Sequence, residues 1–114
     1  MSQHHTFIDR GSNLEDSKDF VGQVLDASPF KQMLYDVQTV AIGGGSFTVD
    51  FERSTRINGE FSVFEQTASI SAVGTTQGET NSYVTEADVL GFVRAKVNSS
   101  AATGLSVTVE ALFM

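Results

Sequence analysis

The sequence predicts an all-β protein, an antiparallel β-sandwich of jelly-roll-like layout with about seven to eight strands. Three observations carry that reading. Apolar and polar residues alternate in run after run, as in Phe47, Val49 and Phe51 against Thr48, Asp50 and Glu52, and side chains of a strand change face with period two. Turn signals recur every roughly eight to twelve residues. Ten glycines against one proline mean that those turns rely on glycine. Residues 1–19 read as an extended polar N-terminal arm, and residues 20–114 as one sandwich domain.

Taken in order, the arm carries Phe7, Ile8 and Leu14 as isolated apolar residues with neither helical nor strand periodicity. Such a segment becomes ordered by lying on something else, which points to a neighbouring subunit, with contact to its own domain serving equally. Residues 20–27 form a first strand that ends at Ser28-Pro29. Residues 34–42, rich in β-branched side chains, form the next, and Gly43-Gly-Gly45 then breaks the chain. Residues 46–52 alternate strictly. Residues 60–66 follow after Asn58-Gly59, a hairpin signal. A two-residue turn there would set Phe61 and Val63 on the face opposite to Phe47, Val49 and Phe51. A longer loop over residues 53–59, or a bulge, is therefore expected, pairing Phe51 with Phe61, Val49 with Val63 and Glu52 with Glu60. Residues 67–73 and 79–85 supply short strands around the turn 74–78, and Thr85 is placed to cap one helical turn over 85–88. Residues 89–97 and 105–113 then close the chain as a hairpin about the polar loop 98–104. In it Val97 pairs with Leu105, Ala95 with Val107 and Val93 with Val109, while Arg94 and Lys96 reach Thr108 and Glu110.

Fourteen acidic against seven basic residues give a net charge of −7, and the cations stand singly. Nucleic acid and anionic membrane demand clustered cations, so both are disfavoured as partners. The absence of cysteine excludes disulfides, thiolate metal sites and cysteine nucleophiles. No charged-then-apolar leader opens the chain and no apolar run approaches a membrane span, so synthesis in the cytoplasm is expected.

Motifs with chemistry are scarce. Ile42-Gly-Gly-Gly-Ser-Phe47 lacks the Lys-Ser/Thr of a phosphate loop and leads into a strand, which makes it a linker turn. His4 and His5 sit on the arm, where three or four fixed metal ligands cannot assemble. Asp50, Glu52, Glu60 and Glu65 read as a solvated outer face rather than a catalytic pair or a calcium site. Tyr35, Tyr83 and Phe64 read as core rather than a sugar platform. No enzyme activity and no cofactor or metal are expected.

The strand Glu60-Phe-Ser-Val-Phe-Glu65, a Gly/Thr-rich turn, Phe92-Val-Arg-Ala-Lys-Val97, a small-residue loop and Leu105-Ser-Val-Thr-Val109 follow one another over residues 47–113. In that order they resemble a small β-sandwich module of bacteriophage virion proteins, found in capsid decoration and tail proteins. The chain lacks the tryptophan often found after the first of these strands. The resemblance implies a non-enzymatic virion protein made in the host cytoplasm, foremost a capsid decoration or cement subunit. Its partners would be the major capsid protein or other virion subunits, and it would be a small homo-oligomer. Candidate partner-binding residues are Phe7, Ile8 and Leu14 as anchors on the arm, with Arg53 and Arg56 in the long loop. The alternative is a glycan-binding module of a tail fibre or spike, with its site at Tyr83 or the loop 53–59.

Overall fold

A computed structural model describes residues 3–12, 19–27, 30–72, 78–85, 89 and 91–114. These residues form eleven strands: β1 (Gln3–Ser12), β2 (Phe20–Val21), β3 (Leu25–Asp26), β4 (Met33–Ala41), β5 (Gly44–Ser54), β6 (Ser62–Gln66), β7 (Ile70–Ser71), β8 (Thr80–Val84), β9 (Phe92–Asn98), β10 (Ala102–Thr103) and β11 (Ser106–Phe113). They make two antiparallel sheets. One has the order β1-β11-β4-β8; the other has the order β10-β5-β9-β2, with β3 also on β9 and with β6 and β7 also on β5. The fold is the expected β-sandwich. Its core lies between the sheets: Met33, Tyr35, Val37, Val107, Val109 and Phe113 from one, Phe47, Val49, Phe51, Val93 and Val97 from the other. Every one of these sits at the alternate position that the period-two pattern assigns to the inside.

The closing hairpin does not exist. β9 pairs with β5 in one sheet, Val49 opposite Val97 and Phe51 opposite Ala95. β11 pairs with β1 and β4 in the other, Val109 opposite Val37 and Ala111 opposite Tyr35. The inward residues of both strands are those the alternation assigns, yet they meet face to face across the core rather than edge to edge. Stacked sheets lie only about 10 Å apart, so the connection 99–105 crosses between them as readily as it could turn a hairpin. On the way, β10 pairs with the glycines that open β5, Ala102 opposite Gly45. Gly45 has φ 81°, and a Cβ there would collide with the Ala101 carbonyl. The triple glycine thus belongs partly to a strand and admits a close crossing of backbone.

The N-terminal arm is corrected as well. Residues 3–12 are β1, an edge strand hydrogen-bonded to β11 from Gln3 opposite Phe113 to Ser12 opposite Ser106. Phe7 is 2% exposed and Ile8 6%, both inside the sandwich. The ring of Phe7 meets Phe51 at 5.4 Å and Phe113 at 6.0 Å. Two register shifts interrupt the ladder, and Arg10 adopts φ 52° at the second, where its N–H donates to Thr108 Oγ1 at 3.1 Å. A bulge turns two consecutive residues toward one face. That is why Phe7 and Ile8 are both buried and why the segment shows no strand periodicity. Leu14 lies outside the described residues.

The strand expected over 20–27 is two short pieces on β9. Between them the chain leans across to the other sheet: Gln23 N–H donates to Phe7 O at 3.2 Å and Gln23 Nε2 to Thr6 O at 2.6 Å. A Cβ on Gly22 would collide with the Phe7 carbonyl. Along this side the two sheets are stitched through backbone. Along the opposite side a side chain does the work, with Tyr35 Oη donating to Glu65 Oε2 at 3.1 Å. The expected strand over 67–73 is reduced to Ile70–Ser71, with Val73 outside the described residues. The helical turn over 85–88 also falls outside them, except Thr85, which exchanges backbone and hydroxyl bonds with Met33 instead.

Candidate interaction site at the tip of the β5–β6 hairpin

β5 and β6 are joined by residues 55–61, a loop longer than the Asn-Gly signal by itself demands. A bulge between Phe51 and Glu52 resets the ladder, so Phe51 faces Glu65 and Glu52 faces Val63. The expected pairing of Phe51 with Phe61 and Glu52 with Glu60 is therefore shifted. With it the face of β6 is reversed: Val63 is 51% exposed, while Phe64 packs against the core. Asn58-Gly59 completes a four-residue turn in which Gly59 N–H donates to Arg56 O at 3.0 Å. Ser54 Oγ accepts from Arg56 N–H at 3.2 Å and holds the other end of the loop.

This loop walls a cavity of about 570 Å³ lined by Arg53, Ser54, Thr55, Arg56, Gly59, Glu60, Ser62 and Gly91. Arg53 and Arg56, both predicted from sequence, are brought together here. The Arg53 guanidinium stands 5.0 Å from the centroid of the Phe64 ring, a cation–π contact that restricts where it can point. Gly91 comes from the start of β9's approach, with φ 90°, and a Cβ on it would come within 2.6 Å of Ser54 O. Nothing local to Gly91 in the sequence announces a role at the tip; only the pairing of Ser54 with Phe92 brings it there. Phe7 and Ile8, by contrast, are spent on the core.

The carboxylates of β5 are not a solvated face. Asp50 and Glu52 are only 8% and 9% exposed. The Arg94 Nε donates to Glu52 Oε1 at 2.8 Å while its guanidinium lies 4.3 Å over the Phe61 ring. Gln66 Nε2 donates to Asp50 Oδ1 at 2.5 Å, and Lys96 lies opposite Asp50 in the ladder. Arg94 and Lys96 were expected on Thr108 and Glu110; because β9 lies in the other sheet, they serve Glu52 and Asp19 instead, the latter at 3.9 Å from Lys96. His4 and His5 diverge on β1, His4 toward Glu110 at 3.2 Å and His5 toward the Phe113 ring at 5.2 Å. Among the described residues no group of three or more His, Cys, Asp or Glu is placed to hold a metal ion.

Tyr35 and Tyr83 stack at 5.1 Å, as core residues rather than as a platform. Burial first, and then the neighbouring Glu65 charge, push the Tyr35 hydroxyl well above the ordinary tyrosine pKa; burial also raises Tyr83.

The molecule is thus a small two-sheet antiparallel sandwich with a recess lined by Arg53, Arg56 and Glu60 at one hairpin tip. No protein-family model and no curated protein sequence matches the chain. Among solved structures, the crystal structure of the SPBc2 prophage-derived protein YomS is similar, with a TM-score of 0.59 and 16% sequence identity over 99% of this chain and 92% of that one. At that identity the likeness is one of fold, and it extends along essentially the whole chain.

Proposed function

We propose that the chain is a non-enzymatic structural protein of a phage virion, a capsid decoration or cement subunit that binds the major capsid shell. The observation that carries the reading is the end-to-end likeness of its fold to a prophage-derived protein of nearly the same extent. Two features of the molecule agree with it. The hydrogen-bonded stitching of β1 and Gln23 on one side, and the Tyr35–Glu65 bond on the other, brace the sandwich along both open edges. The hairpin tip offers arginine and exposed aliphatic side chains, the composition of a protein-binding surface. The chain would work as a small homo-oligomer on the shell, made in the host cytoplasm, with neither nucleic acid nor membrane as partner.

Co-sedimentation of the purified protein with assembled shells that lack it tests the reading. Saturable binding at a stoichiometry matched to the shell lattice is expected, with light scattering on the free protein giving its oligomeric state. Association with tails instead of shells would move the protein to another part of the virion. A second reading, a glycan-binding module of a tail fibre or spike, draws on the same cavity, because Glu60 and the hydroxyls of Ser54, Thr55 and Ser62 are groups that hydrogen-bond sugars. A glycan array without hits would remove it.

A further inference from the structure

We propose that β8 is a self-pairing edge: two copies of the chain join β8 to β8, antiparallel about a two-fold axis at Ser82, into one continuous sheet. This deepens the homo-oligomer of the reading above and rests on it. β8 ends the β1-β11-β4-β8 sheet and among the described residues pairs only with β4. Thr85 N–H donates to Met33 O at 3.0 Å and Thr39 N–H to Glu79 O at 2.9 Å, which fixes the phase of the ladder between them. Hydrogen-bonded and non-hydrogen-bonded residues alternate along an antiparallel pair. Asn81 and Tyr83 therefore bond to Val37 and Tyr35, while Thr80, Ser82 and Val84 turn N–H and C=O away from the sheet. Among the described residues nothing meets those outward groups. The same three side chains are exposed on the outer face, Val84 at 49%.

Open edges are blunted by charge, proline, bulges or interruption, and the other edges of this sandwich are. β1 carries His4, His5, Asp9 and Arg10, has two register shifts and is crossed by Gln23. β2, β3, β7 and β10 are two residues each, and β6 holds Glu65 on a shifted ladder. β8 has the sequence Thr-Asn-Ser-Tyr-Val, without charge or proline, and its ladder to β4 runs without a shift. A second copy of the same strand fits it. With Ser82 on the axis, Thr80 meets Val84 of the second copy and Val84 meets Thr80, so every outward N–H and C=O of the strand is paired. The Thr80 methyl then covers the exposed Val84, and the two Ser82 hydroxyls lie side by side, both favourable cross-strand neighbours. Each copy carries a net charge of −7, so contact is least opposed where the strand is neutral. Glu79, directly before β8, falls opposite Thr85 of the second copy and not opposite a carboxylate. Strands of five residues bury less than the roughly 1,200–2,000 Å² of a stable interface. The pair is therefore transient in solution and strengthened where a shell lattice holds copies side by side.

Sedimentation equilibrium of the wild type over rising concentration is expected to show monomer and dimer in exchange. Amide hydrogen exchange at Thr80, Ser82 and Val84 slows as the concentration rises, while Asn81 and Tyr83, already bonded to β4, stay unchanged. Ser82→Lys and Ser82→Glu, each checked as folded by circular dichroism, weaken dimerisation by about 10-fold or more through like charges on the axis. Mixing these two variants restores pairs of one with the other. A wild type that stays monomeric throughout, or a Ser82→Lys variant that dimerises as the wild type does, overturns the inference; shell binding by that monomer leaves the shell reading standing. Dimers with the expected exchange pattern that fail to bind shells overturn the shell reading and keep the pairing. Protection of Thr80, Ser82 and Val84 that appears only when shells are added gives the edge to a strand of the shell subunit and overturns the second copy as its occupant.

Discussion

The N-terminal strand and the β5–β6 tip both present candidate partner-binding residues in the sequence, and they end in opposite situations. Phe7 and Ile8 are buried between the sheets, whereas Arg53 and Arg56 line a recess open to solvent. The difference follows from what each segment can do with its backbone. β11 has β4 on one side, and without β1 its other side would expose a row of unpaired N–H and C=O groups along an apolar strand. The arm supplies that ladder, and its bulge turns two large apolar residues inward at once. The tip has no such vacancy to fill, since β5 is already paired along its length and the loop only has to turn. An apolar residue in a polar tail is therefore better evidence of an edge strand than of an anchor for a partner.

Deletion of residues 1–12 is the largest test of that contrast. It removes the ladder to β11 together with Phe7 and Ile8, whose truncations alone cost about 3–5 and 2–5 kcal/mol, against a total stability of about 5–15 kcal/mol for a typical domain. Loss of a cooperative thermal transition is expected; a shortened chain that melts as the full chain does would return the arm to a peripheral role. Phe7→Ala should cost about 3–5 kcal/mol in urea denaturation and leave a folded, weakened protein, because Phe51 and Phe113 lose a ring contact each.

Arg94→Met comes next. It keeps the aliphatic cover on Phe61 but strands the nearly buried Glu52 carboxylate, for a loss of about 1–3 kcal/mol that the double variant with Glu52→Gln should largely recover. The smallest effect is that of Tyr35→Phe, about 0.5–1.5 kcal/mol at neutral pH for the bond to Glu65. Its pH dependence is the sharper readout. The folded state holds the Tyr35 proton above the ordinary value of about 10, so the contribution is complete below that pH and is lost as pH rises beyond it. Denaturant midpoints of the wild type should fall more steeply above pH 10 than those of Tyr35→Phe; parallel curves would mean that the hydroxyl is not held neutral.

How much was legible follows from the range of each signal. Alternation assigned the inward residues of β4, β5, β9 and β11 correctly, since it depends only on the strand's own geometry. The same signal is silent on partners. β9 and β11 pattern well as a hairpin and equally well as opposing layers, and the pairing energies of alike apolar faces do not separate the two. At the tip, the long loop and bulge were foreseeable, because burying Phe51 outweighs an ideal turn. The register was not, since it is set by the bulge between Phe51 and Glu52 and accompanied by a contact of Phe61 with Arg94, a residue distant in sequence. Gly91 was invisible as a lining residue for the same reason.

The sequence by itself determined a glycine-turned β protein, the inside and outside of its four central strands, and a loop longer than two residues before β6 that carries Arg56, although Arg53, expected in that loop, belongs to β5. Only the tertiary structure decided that the polar arm is an edge strand, that the two C-terminal strands face each other across the core, and that Asp50 and Glu52 are paired rather than solvated. The physical reason is common to all three. Periodicity is set by local backbone geometry, whereas a strand's partner is chosen by which hydrogen-bonding edges the rest of the chain leaves unpaired, and that is known only once the sheets have assembled.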